Sequence, residues 1–243
     1  MIRLGVTGTD TGVGKTVIAV ARVALLRRRG LRVAAMKPVE TGVLPGAPTD
    51  AARLRAAAGG GDRPGDVCPI TYAEPLAPLV AAERAGRPVD LEALDAAFGR
   101  LAAQRDAVVV EGAGGLLVPL TEQVSYAELF ARWRLGLVVV AANRLGAINH
   151  VLLTVHAARA GELRIRGVVL NSTTSAAPDA AAQTNAAALA HLLPGIPVVS
   201  WPWLPNVSDD AALATRAEQL GLDVLFDGPV ASPVYLNSTE RTT

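Results

Sequence analysis

The sequence predicts an α/β fold, a single domain built on a doubly wound, mostly parallel sheet. Three observations lead there. Short runs rich in valine, leucine and isoleucine recur between turn residues, as strands buried on both faces require. Alanine-rich stretches with helical spacing separate them, the pattern of strand–helix–strand units. Hydrophobic residues make up 51% of the 243, ample apolar surface for the core of one such domain.

The first strand is "IRLGVTG" (2–8), followed by a helix over 15–29 that Gly30 ends. "LRVAAMK" (31–37) comes next, then a helix over 49–58 opened by Thr49-Asp50. From Gly59 to Pro78 the chain is rich in glycine and proline and reads as a long loop beside the sheet, placed to cover a site. A helix over 90–104 leads to "DAVVVEG" (106–112), and one over 125–133 to "GLVVVAA" (136–142). Helices over 147–160 and 178–192 precede "IRGVVLN" (165–171) and "IPVVSW" (196–201), and a last helix spans 209–220. The domain is expected over 1–226; residues 227–243 lack periodicity and read as a loosely ordered tail.

The 23 basic and 22 acidic residues nearly cancel, leaving +1, so neither nucleic acid nor a membrane is the expected partner. The longest apolar run, "LGLVVVAA", falls far short of the ~20 residues of a membrane span and reads as a strand. The chain enters its first strand almost at once, with no room for a signal peptide. One cysteine, Cys68, and no Cys/His cluster with zinc spacing suit a reducing compartment. Together these predict small-molecule chemistry in the cytoplasm.

Between the first strand and first helix stands "TGTDTGVGKTV", Thr7 to Val17, a phosphate loop with Thr9 where the usual spelling has glycine. The N–H groups of Gly12, Val13, Gly14, Lys15 and Thr16 would surround phosphate oxygens, with Val17 continuing the helix. Lys15 would neutralise phosphate charge and the Thr16 hydroxyl would bind Mg²⁺. The fold is therefore expected to be P-loop NTPase-like. Magnesium also calls for carboxylates. Glu111 ends the apolar strand in "AVVVEGAGG", at the sheet edge where such folds bind ligands; a strand-end salt bridge is its alternative. Asp50 in "PTDAARL" is explained as well by an N-cap as by a ligand role. Lys37 in "MKPVETG" ends the second strand, either as a solvated charge or to stabilise an anionic phosphoryl acceptor that Thr41 would contact.

Three stretches, "TGTDTGVGKT", "KPVETG" and "VEGAGGLLVPL", resemble the dethiobiotin synthetase family, and "NRLGAINHVLLT" resembles its "LGxxNHxxLT" segment. The resemblance spans roughly residues 3 to 215. It implies ATP as co-substrate, Mg²⁺, and a reaction of 7,8-diaminononanoate (diaminopelargonate) with CO₂ to dethiobiotin, by way of a carbamate and a carbamic-phosphoric anhydride. It also implies a homodimer with its sites at the subunit interface.

Carried over by motif, Lys37 matches the catalytic lysine, and Thr11 and Lys15 line the phosphoryl path. Thr16, Asp50 and Glu111 match the magnesium ligands, and Glu111, Gly112, Ala113 and Gly114 border nucleotide and substrate. Thr41, Val118 and Pro119 lie toward the substrate, whose carboxylate meets Gly146, Ala147, Ile148 and Asn149 of the second subunit. Asn171 matches the adenine-contacting asparagine, beside Ser172; Pro202, Trp203 and Leu204 pass the adenine, and Asp209 stands at the ribose position. Two departures are visible: Gly12 replaces a glutamate found in some members, and Pro205 lengthens the segment before Asp209. The alternative reading is a P-loop ATPase acting as a nucleotide-driven dimerisation switch, but such proteins carry a second loop lysine where this chain has Asp10. A corrin-amidating synthetase would append a glutamine-hydrolysing domain, for which the chain is too short and Cys68 misplaced.

Overall fold

The computed structural model describes residues 1–222; the expected tail and residues 223–226 of the expected domain lie outside the described residues. The valine-rich runs form the centre of the sheet. β1 (Ile2–Gly8) lies between β5 (Ala107–Gly115) and β6 (Gly136–Ala142), with β2 (Val33–Met36) outside β5 and β7 (Arg164–Asn171) then β8 (Val198–Trp201) beyond β6. Every pairing in this six-stranded sheet is parallel.

Alternate residues of each strand enter opposite cores, which is why the strands read as continuous apolar runs. Val108 and Val110 join Met36, Val139 and Leu170 on one face, whereas Ala107 and Val109 join Leu4, Val6, Val138 and Val169 on the other. The second face is covered by α1 (Lys15–Arg28), α2 (Asp50–Ala57) and α9 (Asp210–Gln219), through Leu25, Leu54 and Leu213. The first is covered by α5 (Leu91–Ala102), α6 (Tyr126–Arg132), α7 (Ala147–Ala160) and α8 (Ala180–Leu192), through Phe98, Phe130, Val151 and Leu189. The doubly wound expectation is borne out. Among the described residues no helix is long and apolar enough to cross a membrane.

Three expectations are corrected. The stretch 59–78 is not a structureless loop: it holds α3 (Pro64–Val67) and β4 (Ile70–Tyr72), which pairs in parallel with β3 (Val39–Thr41) as a separate two-stranded sheet. α4 (Pro78–Arg84) follows directly. Elements of three or four residues are too short to show a period, and these are fixed by tertiary contacts such as Lys37 N–H to the Val67 carbonyl, 2.8 Å. Glu111 does not end its strand, because β5 runs on to Gly115 and pairs there with Gly8. The cap of α2 is Thr49, whose side chain accepts from Ala52 N–H; Asp50 is the first helical residue and its carboxylate is free to point elsewhere.

Cys68 follows α3 and donates its thiol to the Ile70 carbonyl at 3.4 Å. Burial, then the negative charge of Glu40, push the thiol up to about 12. Because the thiolate is the reactive form, iodoacetamide at pH 8 is expected to label folded protein about 10²-fold more slowly than protein in denaturant, read by mass spectrometry. Equal rates would mean that the thiol is not shielded.

Candidate active site

Thr9 N–H bonds the Val140 carbonyl at 2.9 Å, ending β1, and Asp10 Oδ1 accepts from Thr11 N–H at 2.7 Å, which folds the loop back. Gly12 and Gly14 have φ of 74° and 94°, a region that disfavours side chains. Gly14 is the N-cap of α1 and provides no capping side chain, so the first N–H groups of a 14-residue helix remain available to an anion. Lys15 is buried; its ammonium donates to the Asp10 carbonyl at 3.0 Å and lies across the loop. Burial, then the neighbouring Lys37 ammonium, lower its pKa.

Beside the loop, four side chains from four parts of the chain meet. Lys37, one residue past β2, places Nζ 2.5 Å from Glu111 Oε1, 3.0 Å from Asp50 Oδ2 and 3.4 Å from the Gly112 carbonyl. The Thr16 hydroxyl, on the first turn of α1, donates to the same Glu111 oxygen at 2.9 Å. Burial would lower the Lys37 pKa, but Glu111 and Asp50 outweigh it and hold it above the usual lysine range. For Asp50 burial is likewise outweighed, here by Lys37, and the carboxyl is held low. Glu111 is fully buried, and burial pushes its carboxyl up against the pull of Lys37. Its second oxygen, Oε2, has no hydrogen-bond partner.

One functional side chain was not singled out by sequence. Glu40, on β3 and buried, accepts from Asp50 N–H at 2.6 Å and Ala51 N–H at 3.1 Å. A carboxylate on the first N–H groups of α2 is favoured by the helix dipole and ties the helix start, hence Asp50, to the sheet. The acid in "KPVETG" was visible, but not which N–H groups it reaches across ten residues. Glu40→Ala leaves those donors without a buried acceptor, a cost of about 1–3 kcal/mol. The expected fall in Tm is about 3–10 °C, smaller for Glu40→Gln, which keeps one acceptor. An unchanged melting curve for the alanine variant would remove the anchoring role.

The remaining expected residues divide into those around the loop and those apart from it. Asn171, at the end of β7, donates through Nδ2 to the Val13 carbonyl at 2.9 Å, and Ser172 N–H bonds the Trp201 carbonyl. Gly114, at φ 64°, brings Val118 close: a Cβ there would lie 2.9 Å from Val118 Cγ2 and 3.8 Å from Thr11 Oγ1. Pro119 bridges to Ser125 and accepts from Leu79 N–H. Thr41 is half-buried on β3. Gly146, at φ 91°, caps α7 without a side-chain bond; Ala147 is buried, Ile148 half-buried and Asn149 exposed. No hydrogen bond among the described residues joins Gly146–Asn149 to the loop. Trp203 is 41% exposed, with Pro202 and Leu204 half-buried. Asp209 is the N-cap of α9, accepting from Ala212 N–H at 3.0 Å, and lines a cavity of about 370 Å³ with Leu204.

A family model described as an AAA domain matches residues 3–212. The ATP-dependent dethiobiotin synthetase BioD of Anaeromyxobacter dehalogenans (strain 2CP-C) is 47% identical over 218 residues, covering 90% of this chain and 95% of that protein. The chain belongs to the dethiobiotin synthetase family. A second synthetase, from Aquifex aeolicus, is 39% identical over 76% of this chain and 81% of its own. The solved structure of apo McdA from Cyanothece superposes with a TM-score of 0.51, covering 94% of this chain and 97% of that one, at 16% identity. That likeness shows a shared fold and nothing finer.

Among dethiobiotin synthetases, then, this chain carries its "KPVETG" lysine against the loop rather than in solvent. The alternative of Lys37 as a solvated strand end is corrected by its 3% exposure. Asp50 as mere N-cap is corrected by Thr49 taking that place.

Proposed function

We propose that the chain catalyses the dethiobiotin synthetase reaction: 7,8-diaminononanoate, CO₂ and ATP to dethiobiotin, ADP and phosphate. The observation that carries this reading is the meeting of Lys37, Asp50, Glu111 and Thr16 beside an ATP-type phosphate loop. A nucleotide switch needs the loop; a second buried lysine, Lys37, beside Lys15 suits an anionic acceptor.

One amine takes up CO₂ as a carbamate. Loop N–H groups with Lys15 and Thr11 hold the γ-phosphoryl group, and the Lys37 ammonium stabilises charge on the carbamate oxygen that receives it. The second amine attacks the mixed anhydride carbonyl, the carbon–oxygen bond breaks, and phosphate leaves as the ring closes. Thr41, Val118 and Pro119 flank the diamine. Asn171 and Ser172 face the adenine beside Pro202–Leu204, with the second Asp209 oxygen toward the ribose.

Magnesium fits the donor set. Among the described residues no group of three or more His, Cys, Asp or Glu could hold a metal. Two carboxylates and a hydroxyl are instead what Mg²⁺ takes when waters and phosphate oxygens complete its shell. The unpartnered buried Oε2 of Glu111 supports that assignment, with Thr16 and Asp50 as the other ligands. Bound there, the ion would neutralise phosphate charge. Gly146–Asn149 complete the site of a second copy: Leu145 and Leu153, at 82% and 61% exposure, flank that α7 start as an apolar surface suited to a homodimer. The near-neutral charge supports a reading without nucleic acid or a membrane as partner, and the single cysteine suits the cytoplasm.

Incubation with ¹³C-bicarbonate, diamine, ATP and Mg²⁺ is expected to yield a product carrying one ¹³C ureido carbon. ADP formation without that carbon in the product would defeat the synthetase reading.

A further inference from the structure

The opposite edge of the sheet, at the strand starts, holds a cavity of about 620 Å³ that the reaction does not use. Four arginines line it, Arg3 on β1, Arg134 after α6, and Arg164 and Arg166 on β7, against one carboxylate, Glu162. Residue 166 is the extra residue of a register shift in β7, between Ile165 opposite Leu137 and Gly167 opposite Val138. Among the described residues Arg3, Arg134 and Arg164 form no ion pair. Arg3 instead donates to the Trp133 carbonyl at 3.3 Å and lies over the Phe98 ring. Arg166 lies across Gly136 so closely that a Cβ there would sit 2.6 Å from its Nε.

The backbone adds a second observation. Arg134 and Glu162 are the non-glycine residues with positive φ among those described, at 53° and 55°, and both line this cavity. Each follows a helix end where the chain reverses: Leu135 N–H returns to the Phe130 carbonyl, and Leu163 N–H to the Ala158 carbonyl. Glycine is the unstrained choice at such positions. Attraction of cations to helix C-termini accounts for a charge at 134 but not for the Arg164 guanidinium that lines the same cavity. At 134 an arginine is kept in that conformation at a cost in stability, on the wall of a cavity that other arginines line, whereas the Glu162 charge opposes an anion.

We infer that this cavity binds an anion bearing more than one phosphate group. Its volume exceeds that of a single phosphate, and several guanidinium forks match phosphate oxygens. The site lies at the sheet edge away from the phosphate loop, and would report on phosphate compounds independently of turnover.

The test titrates inorganic pyrophosphate, without magnesium, into the Lys15→Ala variant, whose phosphate loop is weakened, and follows the heat of binding. One saturable site is expected, weakened tenfold or more by adding Arg134→Gly and Arg164→Ala, since each removes a charge-assisted contact. Arg134→Gly relieves a left-handed arginine, so it should raise Tm by about 2–4 °C while weakening the anion, which separates binding from folding. No saturable binding in Lys15→Ala, or binding unchanged by the arginine substitutions, overturns the inference. ATP displacing pyrophosphate with higher affinity identifies a nucleotide as the ligand; equal or weaker affinity identifies an inorganic phosphate chain.

Discussion

Lys37→Gln is expected to lower turnover by about 10²-fold or more while ATP still binds, because the ammonium stabilises charge that develops only as the phosphoryl group moves. The substitution also removes the positive charge between Asp50 and Glu111, at 3.0 and 2.5 Å. Glutamine can donate to one carboxylate, but the fully buried Glu111 then lacks a counter-charge. Breaking such a pair costs about 3–5 kcal/mol, so Tm should fall as well. Burial already pushes the Glu111 carboxyl up, and without Lys37 it rises further, so the variant should take up a proton there at a higher pH than the unsubstituted protein. Steady-state rates measured at saturating ATP, alongside a melting curve, separate the two effects. Turnover equal to that of the unsubstituted protein would remove Lys37 from the chemistry.

Gly14→Ala is expected to weaken ATP binding by about 10²-fold. Two independent costs combine. The residue sits at φ 94°, where a side chain costs about 1–2 kcal/mol, and the new Cβ would lie 2.1 Å from Asn171 Nδ2. Asn171 must move, giving up its bond to the Val13 carbonyl, about 1 kcal/mol, and its proposed place against the adenine. The double variant Gly14→Ala, Asn171→Ala relieves the clash but not the backbone strain, and should bind less weakly than the two single losses together predict. Strict additivity of the two losses would show that the contact between these positions does not govern the loop.

How much of this was legible depends on length and period. Strands 2–8 and 136–142 and helix 147–160 match β1, β6 and α7 as observed, because buried runs of seven or more residues carry a clear pattern. β3 and β4 hold three residues each and pair only with each other, so nothing in "VET" or "ITY" announces them. Met36 pairs with Val110 in neighbouring parallel strands, so the next residues, Lys37 and Glu111, come level by topology, which made them readable. The Asp50 carboxylate was ambiguous until Thr49 was seen to cap α2. Glu40 was out of reach because its role lies in two N–H groups of another element, a contact that no local spacing encodes.

The most direct test of the proposed chemistry is phosphate release from ATP and Mg²⁺ by purified protein, with diaminopelargonate and bicarbonate added singly and together. Release is expected only when both are present, in step with formation of the ureido product. Phosphate released at the same rate without the diamine would contradict the synthetase account and favour a nucleotide switch.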